Sequence, residues 1–128
     1  MIAVTAPQRP AGGHPGAEGN PFAPRTYGQM EQVTSRVWIF RNITNSHLVV
    51  GDRAAAVVDT QVNVPLARRV LDEARKITNR PIAFAVNTHY HWDHTNGNRT
   101  FRGAGAIVVA SSLTRRFMVE RHARQKAF

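Results

Sequence analysis

The sequence predicts an α/β layered domain in which helices cover a mixed β-sheet. Short apolar runs typical of buried strands alternate with segments whose apolar residues recur at helical spacing. The chain has 128 residues, enough for one modest domain. We assign this domain to residues 30–128 and predict a flexible tail for residues 1–29, because the tail is dense in Pro and Gly and has few apolar side chains to bury.

β-Structure is predicted at the start of the domain. Residues 32–41, QVTSRVWIFR, are rich in β-branched and aromatic side chains and indicate a strand or a tight hairpin. Residues 46–50 and 54–59 are apolar runs on either side of a Gly-Asp turn, which is typical of a hairpin. The run AAAVV is continuous rather than alternating, so we expect its strand to be covered on both faces.

Residues 63–78 give the clearest helix signal. Asn63 is a suitable N-cap, and Pro65 fits the first helical turn. The apolar residues that follow recur on one side, and the charged residues lie mostly on the other. We therefore expect a helix with one buried face.

The rest of the domain alternates between strand and helix. Residues 82–87, IAFAVN, predict a buried strand, and residues 106–110, AIVVA, predict another short apolar strand. A final helix is expected from Ser111 or Ser112 to about Gln125. We expect the core to be built by Trp38, Phe40, Phe84 and Phe101.

A cluster of metal-binding residue types, HYHWDH at positions 89–94, directly follows the predicted strand. Zinc takes imidazole nitrogen and carboxylate oxygen at about 2.0 to 2.2 Å. In an extended segment His89 and His91 project to the same side, and a turn at Trp92 would let Asp93 and His94 face a second ion. Trp92 itself either walls a substrate pocket or packs in the core. The alternative is a group of surface histidines, which would repel one another on protonation unless a metal kept them neutral.

The segment NTHYHWDHTNGN resembles the signature of the metallo-β-lactamase superfamily. SHLVVGDRAAAVVDT is similar to the early hairpin of that family, and AGAIVVASSLTRRFM is similar to its next strand and helix. The resemblance covers roughly residues 30–128 and implies the amino-terminal half of an αββα sandwich. Asn96-Gly97-Asn98 departs from the Gly-Gly-Asn of many relatives, and Gly97 is expected in a tight turn behind the ligands.

The resemblance also implies a metal site and a reaction. His89 and His91 would belong to a first metal site, Asp93 and His94 to a second, and Asp59 would position the loop without binding metal. A strand-end aspartate that caps its own turn is the alternative for Asp59. The implied cofactor is one or two zinc ions, with iron or manganese possible. A metal-bound hydroxide would attack a carbonyl or ester centre, and Asp93 would be catalytic, orienting the nucleophile and passing a proton to the leaving group.

The family's full site has three further ligands, for which this chain offers few candidates. Beyond the motif the chain has only Glu120 and His122, two residues apart on the predicted final helix and thus on different faces. We interpret His122 as a surface residue, His47 as a half-buried strand residue and His14 as part of the tail. We therefore expect a fragment of a longer protein, a half-domain that pairs with another chain, or a non-catalytic remnant.

Composition restricts the remaining functions. The formal net charge of +9 is concentrated in residues 68–80 and 99–126, which could steer an anionic substrate or RNA, although solvated helix faces usually explain such runs. A small-molecule substrate (a β-lactam, lactone or thioester) is the main hypothesis. Nucleic-acid processing or binding and a non-catalytic homo-oligomer or complementing half-domain are the alternatives. The absence of cysteine excludes disulfides, and no secretory signal or membrane-length apolar run is present, so we expect a cytoplasmic protein with no membrane partner.

Overall fold

The computed structural model describes residues 27–126. These residues form six strands and four helices, in this order: β1 (Met30–Thr34), β2 (Val37–Phe40), β3 (Ser46–Val50), β4 (Ala55–Val58), α1 (Val64–Ile77), β5 (Ile82–Val86), α2 (Trp92–Thr95), α3 (Asn98–Gly103), β6 (Ile107–Val109) and α4 (Ser112–Lys126). Most of the predicted tail, with His14, lies outside the described residues.

The six strands form one mixed sheet in the order β1-β2-β3-β4-β5-β6. The first four strands pair antiparallel, and β4–β5 and β5–β6 pair parallel. Parallel neighbours need a crossover connection, and α1 supplies it between β4 and β5. The predicted fold class and the hairpin predicted for residues 46–59 are confirmed, and of the two alternatives for residues 32–41 the structure has the hairpin.

Helix α1 has the ends and the buried face that its sequence predicts. The side chain of Asn63 accepts a hydrogen bond from the Leu66 N–H at 2.9 Å, so the N-cap is confirmed, and Pro65 lies in the first turn. The helix ends at Ile77 because Thr78 is extended. Its buried apolar residues are Ala67, Val70, Leu71 and Ala74, and they lie on the side that contacts the sheet and α3.

The hydrophobic core lies between one face of the sheet and helices α1 and α3. Phe40 and Phe101 are fully buried there, and Trp38 is partly buried against the cluster. The prediction that Phe84 belongs to the core is wrong, since its side chain is 43% exposed. Phe84 is in register with Ala56 and Ile107, and this row of side chains points to the opposite face of the sheet.

That opposite face is apolar but is left open by the described helices. Val49, Phe84, Ile107 and Val109 are exposed on it. The prediction that both faces of β4 are covered is therefore wrong, because Ala55 and Val57 are buried whereas the alternate residues, such as Val58, are only half-buried. A continuous apolar run indicates which residues are compatible with burial, but it does not tell which face a helix covers.

Candidate metal centre

The HYHWDH segment lies at the carboxyl end of β5, beside the carboxyl end of β4. The two strands are parallel neighbours, so the residues that follow them meet at the same edge of the sheet. The Asp59 N–H donates to the Val86 carbonyl at 2.8 Å, which fixes the residue after β4 against the end of β5. Side chains that are about thirty residues apart in sequence thereby come into contact.

Asp59 is held beneath the loop by several hydrogen bonds. Its Oδ1 accepts from the Thr88 N–H at 2.9 Å, and its Oδ2 accepts from the Thr88 hydroxyl at 2.8 Å. The same Oδ2 lies 2.9 Å from Nδ1 of His94. The residue is 6% exposed, and its φ of 59° lies in the left-handed region, which non-glycine residues seldom occupy. The carboxylate is therefore fixed in place by its neighbours.

These bonds determine which ring nitrogens of two histidines remain available. The Thr88 hydroxyl donates its proton to Asp59, so its oxygen accepts from Nδ1 of His89 at 2.9 Å. The Nδ1 of His94 donates to Asp59 directly. Each imidazole then presents an Nε2 lone pair, the form in which a neutral histidine binds metal. One carboxylate thus orients two imidazoles, His94 directly and His89 through Thr88.

The side chains of the motif gather around His89. Its ring centroid lies 4.2 Å from that of His94 and 4.8 Å from that of His91. The Nε2 of His94 is 3.5 Å from Oδ2 of Asp93. Potential ligand atoms of Asp59, His89 and His94 all lie within 4.8 Å of one another. The tightest group therefore crosses the predicted division into a His89–His91 pair and an Asp93–His94 pair, and it includes Asp59.

A short helix brings the second half of the motif back to the first. Helix α2 begins at Trp92, the residue at which a turn was expected, and the His94 N–H donates to the His91 carbonyl at 3.0 Å. The side chain of Trp92 is 46% exposed, so it does not pack in the core. Its alternative role, as the wall of a substrate pocket, stays a prediction.

Comparison with known proteins identifies the family. The profile of the metallo-beta-lactamase superfamily matches residues 39–128. The chain belongs to the metallo-beta-lactamase superfamily. Members of this superfamily are hydrolases, which supports the prediction that the chain comes from a hydrolase.

Solved structures of the superfamily share the fold. The chain aligns with a metallo-beta-lactamase from Hirschia baltica at a TM-score of 0.66 and 21% identity, over 73% of this chain and 48% of that one. For a metallo-beta-lactamase from Pontibacter korlensis the TM-score is 0.65 and the identity 23%, over 72% and 47% of the two chains. For the mono-zinc form of the metallo-beta-lactamase FIM-1 from Pseudomonas aeruginosa the values are 0.62 and 22%, over 72% and 45%. The chain thus spans about half the length of these relatives.

A curated relative is similar over a shorter segment. A linear primary-alkylsulfatase from Pseudomonas sp. (strain ATCC 19151) is 49% identical over 45 residues. The match covers 35% of this chain and 8% of that protein.

Sequence reasoning missed the residues that hold the superfamily motif from below. The Thr44 hydroxyl donates to the Asp93 carbonyl at 2.9 Å, and the Thr60 N–H donates to the His94 carbonyl at 2.8 Å. Asn87 and Asn98 bind each other through their side-chain amides at 2.8 and 3.0 Å. The signal that could have found part of this set is the polar run after each strand, Asp-Thr-Gln after β4 and Asn-Thr after β5.

Gly97 lies in a turn shortly after the motif, as expected, but its backbone has an ordinary φ of −83°. The need for glycine here comes from close approach. A Cβ at this position would overlap the Thr60 carbonyl and lie 2.5 Å from Cβ of Ala67. The residue therefore lets α1, the end of β4 and the metal loop meet without a side chain between them.

Two further histidines and the carboxylate of Glu120 lie outside the motif. His122 is exposed on α4, and Glu120 on the same helix lies 3.6 Å from Arg116. Among the described residues, neither belongs to the group of potential ligand atoms formed by Asp59, His89 and His94. His47 is half-buried in β3, as predicted. Within residues 27–126 no helix has the length and apolar character needed to cross a membrane.

Proposed function

We propose that His89, His91, Asp93 and His94 form the metal site of a metal-dependent hydrolase, and that Asp59 positions the loop that carries them. The observation that carries the proposal is the convergence of ligand atoms of Asp59, His89 and His94 within 4.8 Å, with His91 and Asp93 beside them. Chance clustering of imidazoles is unfavourable, because protonated rings repel one another, whereas a metal ion stabilises the neutral rings.

The donor set suits zinc. Histidine nitrogen and carboxylate oxygen are its common ligands in catalytic sites, and iron or manganese accepts the same groups. We assign His89 and His91 to a first ion and Asp93 and His94 to a second. We assign Asp59 to positioning, because its oxygens already accept hydrogen bonds from Thr88 and face His94.

A metal held here would supply Lewis-acid activation of water and of the electrophile. We assign to Asp93 the orientation of the attacking water and the transfer of a proton to the leaving group, and the partial exposure of its carboxylate beside Nε2 of His94 supports this assignment. We propose a small-molecule substrate with a carbonyl or ester-like bond, such as a β-lactam, lactone or thioester. The 45-residue similarity to a linear primary-alkylsulfatase adds an alkyl sulfate ester to the bonds that merit an assay.

Metal analysis of the purified chain tests the site. We expect about one or more zinc per chain after dialysis against zinc, and loss of most of it in His89→Ala and His91→Ala. His122→Ala is the matched control, because that histidine is exposed on α4. A chain that retains no metal, or a control variant that loses as much metal as His89→Ala, would overturn the proposal.

Hydrolysis assays on the metal-loaded chain test the reaction. The panel contains a β-lactam, a lactone, a thioester and a primary alkyl sulfate, each with and without a chelator. For any substrate that is cleaved, Asp93→Asn should lower kcat by about 100-fold or more, and Asp52→Asn, at an exposed turn, should leave it unchanged. Full activity in Asp93→Asn would exclude the proposed catalytic role of that carboxylate.

The other hypotheses about partners and location stay predictions. The partner hypotheses are a homo-oligomer, a complementing chain and nucleic-acid binding, and the predicted location is the cytoplasm. The open apolar face of the sheet is compatible with a covering layer, but it does not identify which chain would supply that layer.

A further inference from the structure

Buried polar residues lie beneath α2, and the role that we assign to one of them rests on the proposed metal site. We propose that Gln61 is a positioning residue for Asp93, acting through Thr44. The hydrogen bonds that the Gln61 side chain makes within the described residues go to Thr44 and Ser46, not to the motif. Gln61 sets the position of the residue whose side chain holds the main chain of Asp93.

Two consecutive hydrogen bonds connect Gln61 to Asp93. The Nε2 of Gln61 donates to the Thr44 carbonyl at 2.9 Å and to the Ser46 hydroxyl at 2.8 Å. The Thr44 hydroxyl then donates to the Asp93 carbonyl at 2.9 Å. Gln61 is fully buried and Thr44 is 8% exposed, so water does not compete effectively for these bonds.

Two features of Gln61 lower the stability of the fold. Its φ of 78° lies in the left-handed region, and its Oε1 is buried with no hydrogen-bond partner in the part of the chain that the structure describes. Both features destabilise a fold, and an apolar side chain of the same length would avoid the unpaired oxygen. Backbone strain and unpaired polar atoms that persist beside a cluster of ligands indicate a role in that site.

Helix α2 needs such support because it has only four residues. A single turn leaves most of its carbonyls without partners inside the helix. The Asp93 carbonyl accepts a hydrogen bond from the Thr44 hydroxyl, and the His94 carbonyl accepts one from the Thr60 N–H. A small rotation of this turn would move the Asp93 carboxylate away from the imidazoles, and sites of this kind tolerate little displacement.

The segment 59–61 therefore holds three different parts of the loop. Asp59 holds the side chains of Thr88 and His94, and Thr60 holds the main chain of His94. Gln61 acts on Asp93 through Thr44. The competing explanation is that Gln61 only joins this segment to the start of β3 through Thr44 and Ser46. That explanation predicts lower stability without any selective effect on α2.

Four variants of the full chain separate the two explanations. Gln61→Met removes the amide at similar length, and Thr44→Val removes the hydroxyl at similar volume. Thr44→Ser keeps the hydroxyl. Ser46→Ala is the matched control, because it removes the other acceptor of Gln61 and leaves the path to Asp93 intact.

The first readout is amide hydrogen exchange in the metal-free chain, which requires no metal binding. The His94 and Asn96 N–H groups bond to the His91 and Trp92 carbonyls, so they report opening of α2. Relative to amides of β3 and β4, they should exchange about tenfold faster in Gln61→Met and Thr44→Val, and within about twofold of the unsubstituted chain in Thr44→Ser and Ser46→Ala. Equal acceleration in Gln61→Met and Ser46→Ala would overturn the proposal.

The second readout is zinc affinity, measured by competition with a chelator. Gln61→Met and Thr44→Val should weaken binding of the zinc ion assigned to Asp93 and His94 by about 10- to 100-fold, and Thr44→Ser should leave it unchanged. If Gln61→Met does not fold, comparison of Thr44→Val with Thr44→Ser still tests the proposal. Unchanged amide exchange and unchanged zinc affinity in Thr44→Val would exclude the hydrogen-bond path from Gln61 through Thr44 to Asp93. Absence of zinc binding in the unsubstituted chain would instead refute the proposed function, and the exchange measurement would still test the link to Asp93.

Discussion

The helix-covered core and the polar layer beneath the metal loop are both buried, but they are built differently. The core consists of apolar side chains from the sheet, α1 and α3. The polar layer, which we call the site floor, consists of Thr44, Ser46, Asp59, Thr60, Gln61 and Asn87. Outside it, the described residues bury only two other polar side chains, those of Glu73 and Thr114.

The two regions determine different properties, the core the stability of the fold and the site floor the geometry of the metal loop. Apolar burial is roughly proportional to area and has little directional preference, so the core determines how stable the fold is. Hydrogen bonds in the site floor fix orientation, because an unpaired buried donor or acceptor is costly. Core substitutions should therefore change stability more than the site, and floor substitutions that remove a hydrogen bond on a path to the loop should do the reverse.

The largest expected effect is that of Phe101→Ala in the core. Phe101 is fully buried, and truncation of a buried phenylalanine costs about 3 to 5 kcal/mol. Urea unfolding should show this loss, while zinc affinity in the folded fraction changes by less than about threefold. Phe84→Ala is the matched control, with a smaller loss because Phe84 is 43% exposed. A larger loss in Phe84→Ala would contradict our assignment of the two sheet faces.

The contrast between the two regions also shows where sequence reasoning works. Hairpins, α1 with its cap at Asn63 and the strand before the motif follow from local patterns of apolar residues and turn signals. These local patterns do not predict which side of the sheet α1 and α3 cover. For that reason the sequence prediction that Phe84 lies in the core is wrong. A continuous apolar strand contains no alternation that distinguishes its faces.

The site could be predicted only in part, for a related reason. The six-residue motif is local, so its residue types and its position after β5 indicate a metal site directly. Thr44 bonds to Asp93, 49 positions away, and Gln61 bonds to Thr44, 17 positions away, and neither hydrogen bond has a periodic signal in the sequence. The positive φ of Gln61 is equally hidden, because glutamine is not a residue that marks left-handed backbone.

Gly97→Ala should affect both regions at once, since Gly97 lies where they meet. The added Cβ would overlap the Thr60 carbonyl in the floor and crowd Ala67 of α1. Overpacking against backbone should cost about 3 kcal/mol in urea unfolding and also reduce zinc binding by the folded chain. Gly103→Ala is the control, because a Cβ there meets nothing within 4 Å. Normal stability and zinc binding in Gly97→Ala would show that these elements approach less closely than the structure indicates.

Asn63→Ala tests a smaller contribution that belongs to the core side alone. The change removes the side-chain acceptor of the Leu66 N–H at the start of α1 and should cost about 1 kcal/mol. Asn79→Ala, just beyond the end of the same helix, should cost less than about 0.5 kcal/mol. Since α1 contributes no proposed ligand, zinc affinity should not change in either variant. A selective loss of zinc in Asn63→Ala would show that the start of α1 is coupled to the site floor.

The smallest effect concerns Glu73, the charged residue that α1 buries beside the core. Lys76 donates to Oε1 of Glu73 at 2.6 Å, and this hydrogen bond lowers the pKa of Glu73 below its ordinary value of 4.5 although burial opposes the shift. Because the pKa is lower in the folded chain than in the unfolded chain, the stabilisation is present above pH 4.5 and is lost as the pH falls through the folded pKa. Lys76 is largely exposed, so solvent screens the pair and the contribution should be only about 0.5 kcal/mol.

The measurement is urea unfolding of Lys76→Met at a series of pH values. The variant should be less stable than the unsubstituted chain at pH 7, and the difference should shrink as the pH falls below 4.5. Arg75→Met removes a neighbouring exposed charge that has no ion pair within residues 27–124, so its effect should depend little on pH in this range. An equal loss in Lys76→Met at both ends of the pH series would mean that packing of the lysine stem, rather than the charge of Glu73, accounts for the contribution. In either case zinc affinity at pH 7 should stay unchanged, because this ion pair lies on the core side of the molecule and makes no hydrogen bond to the site floor.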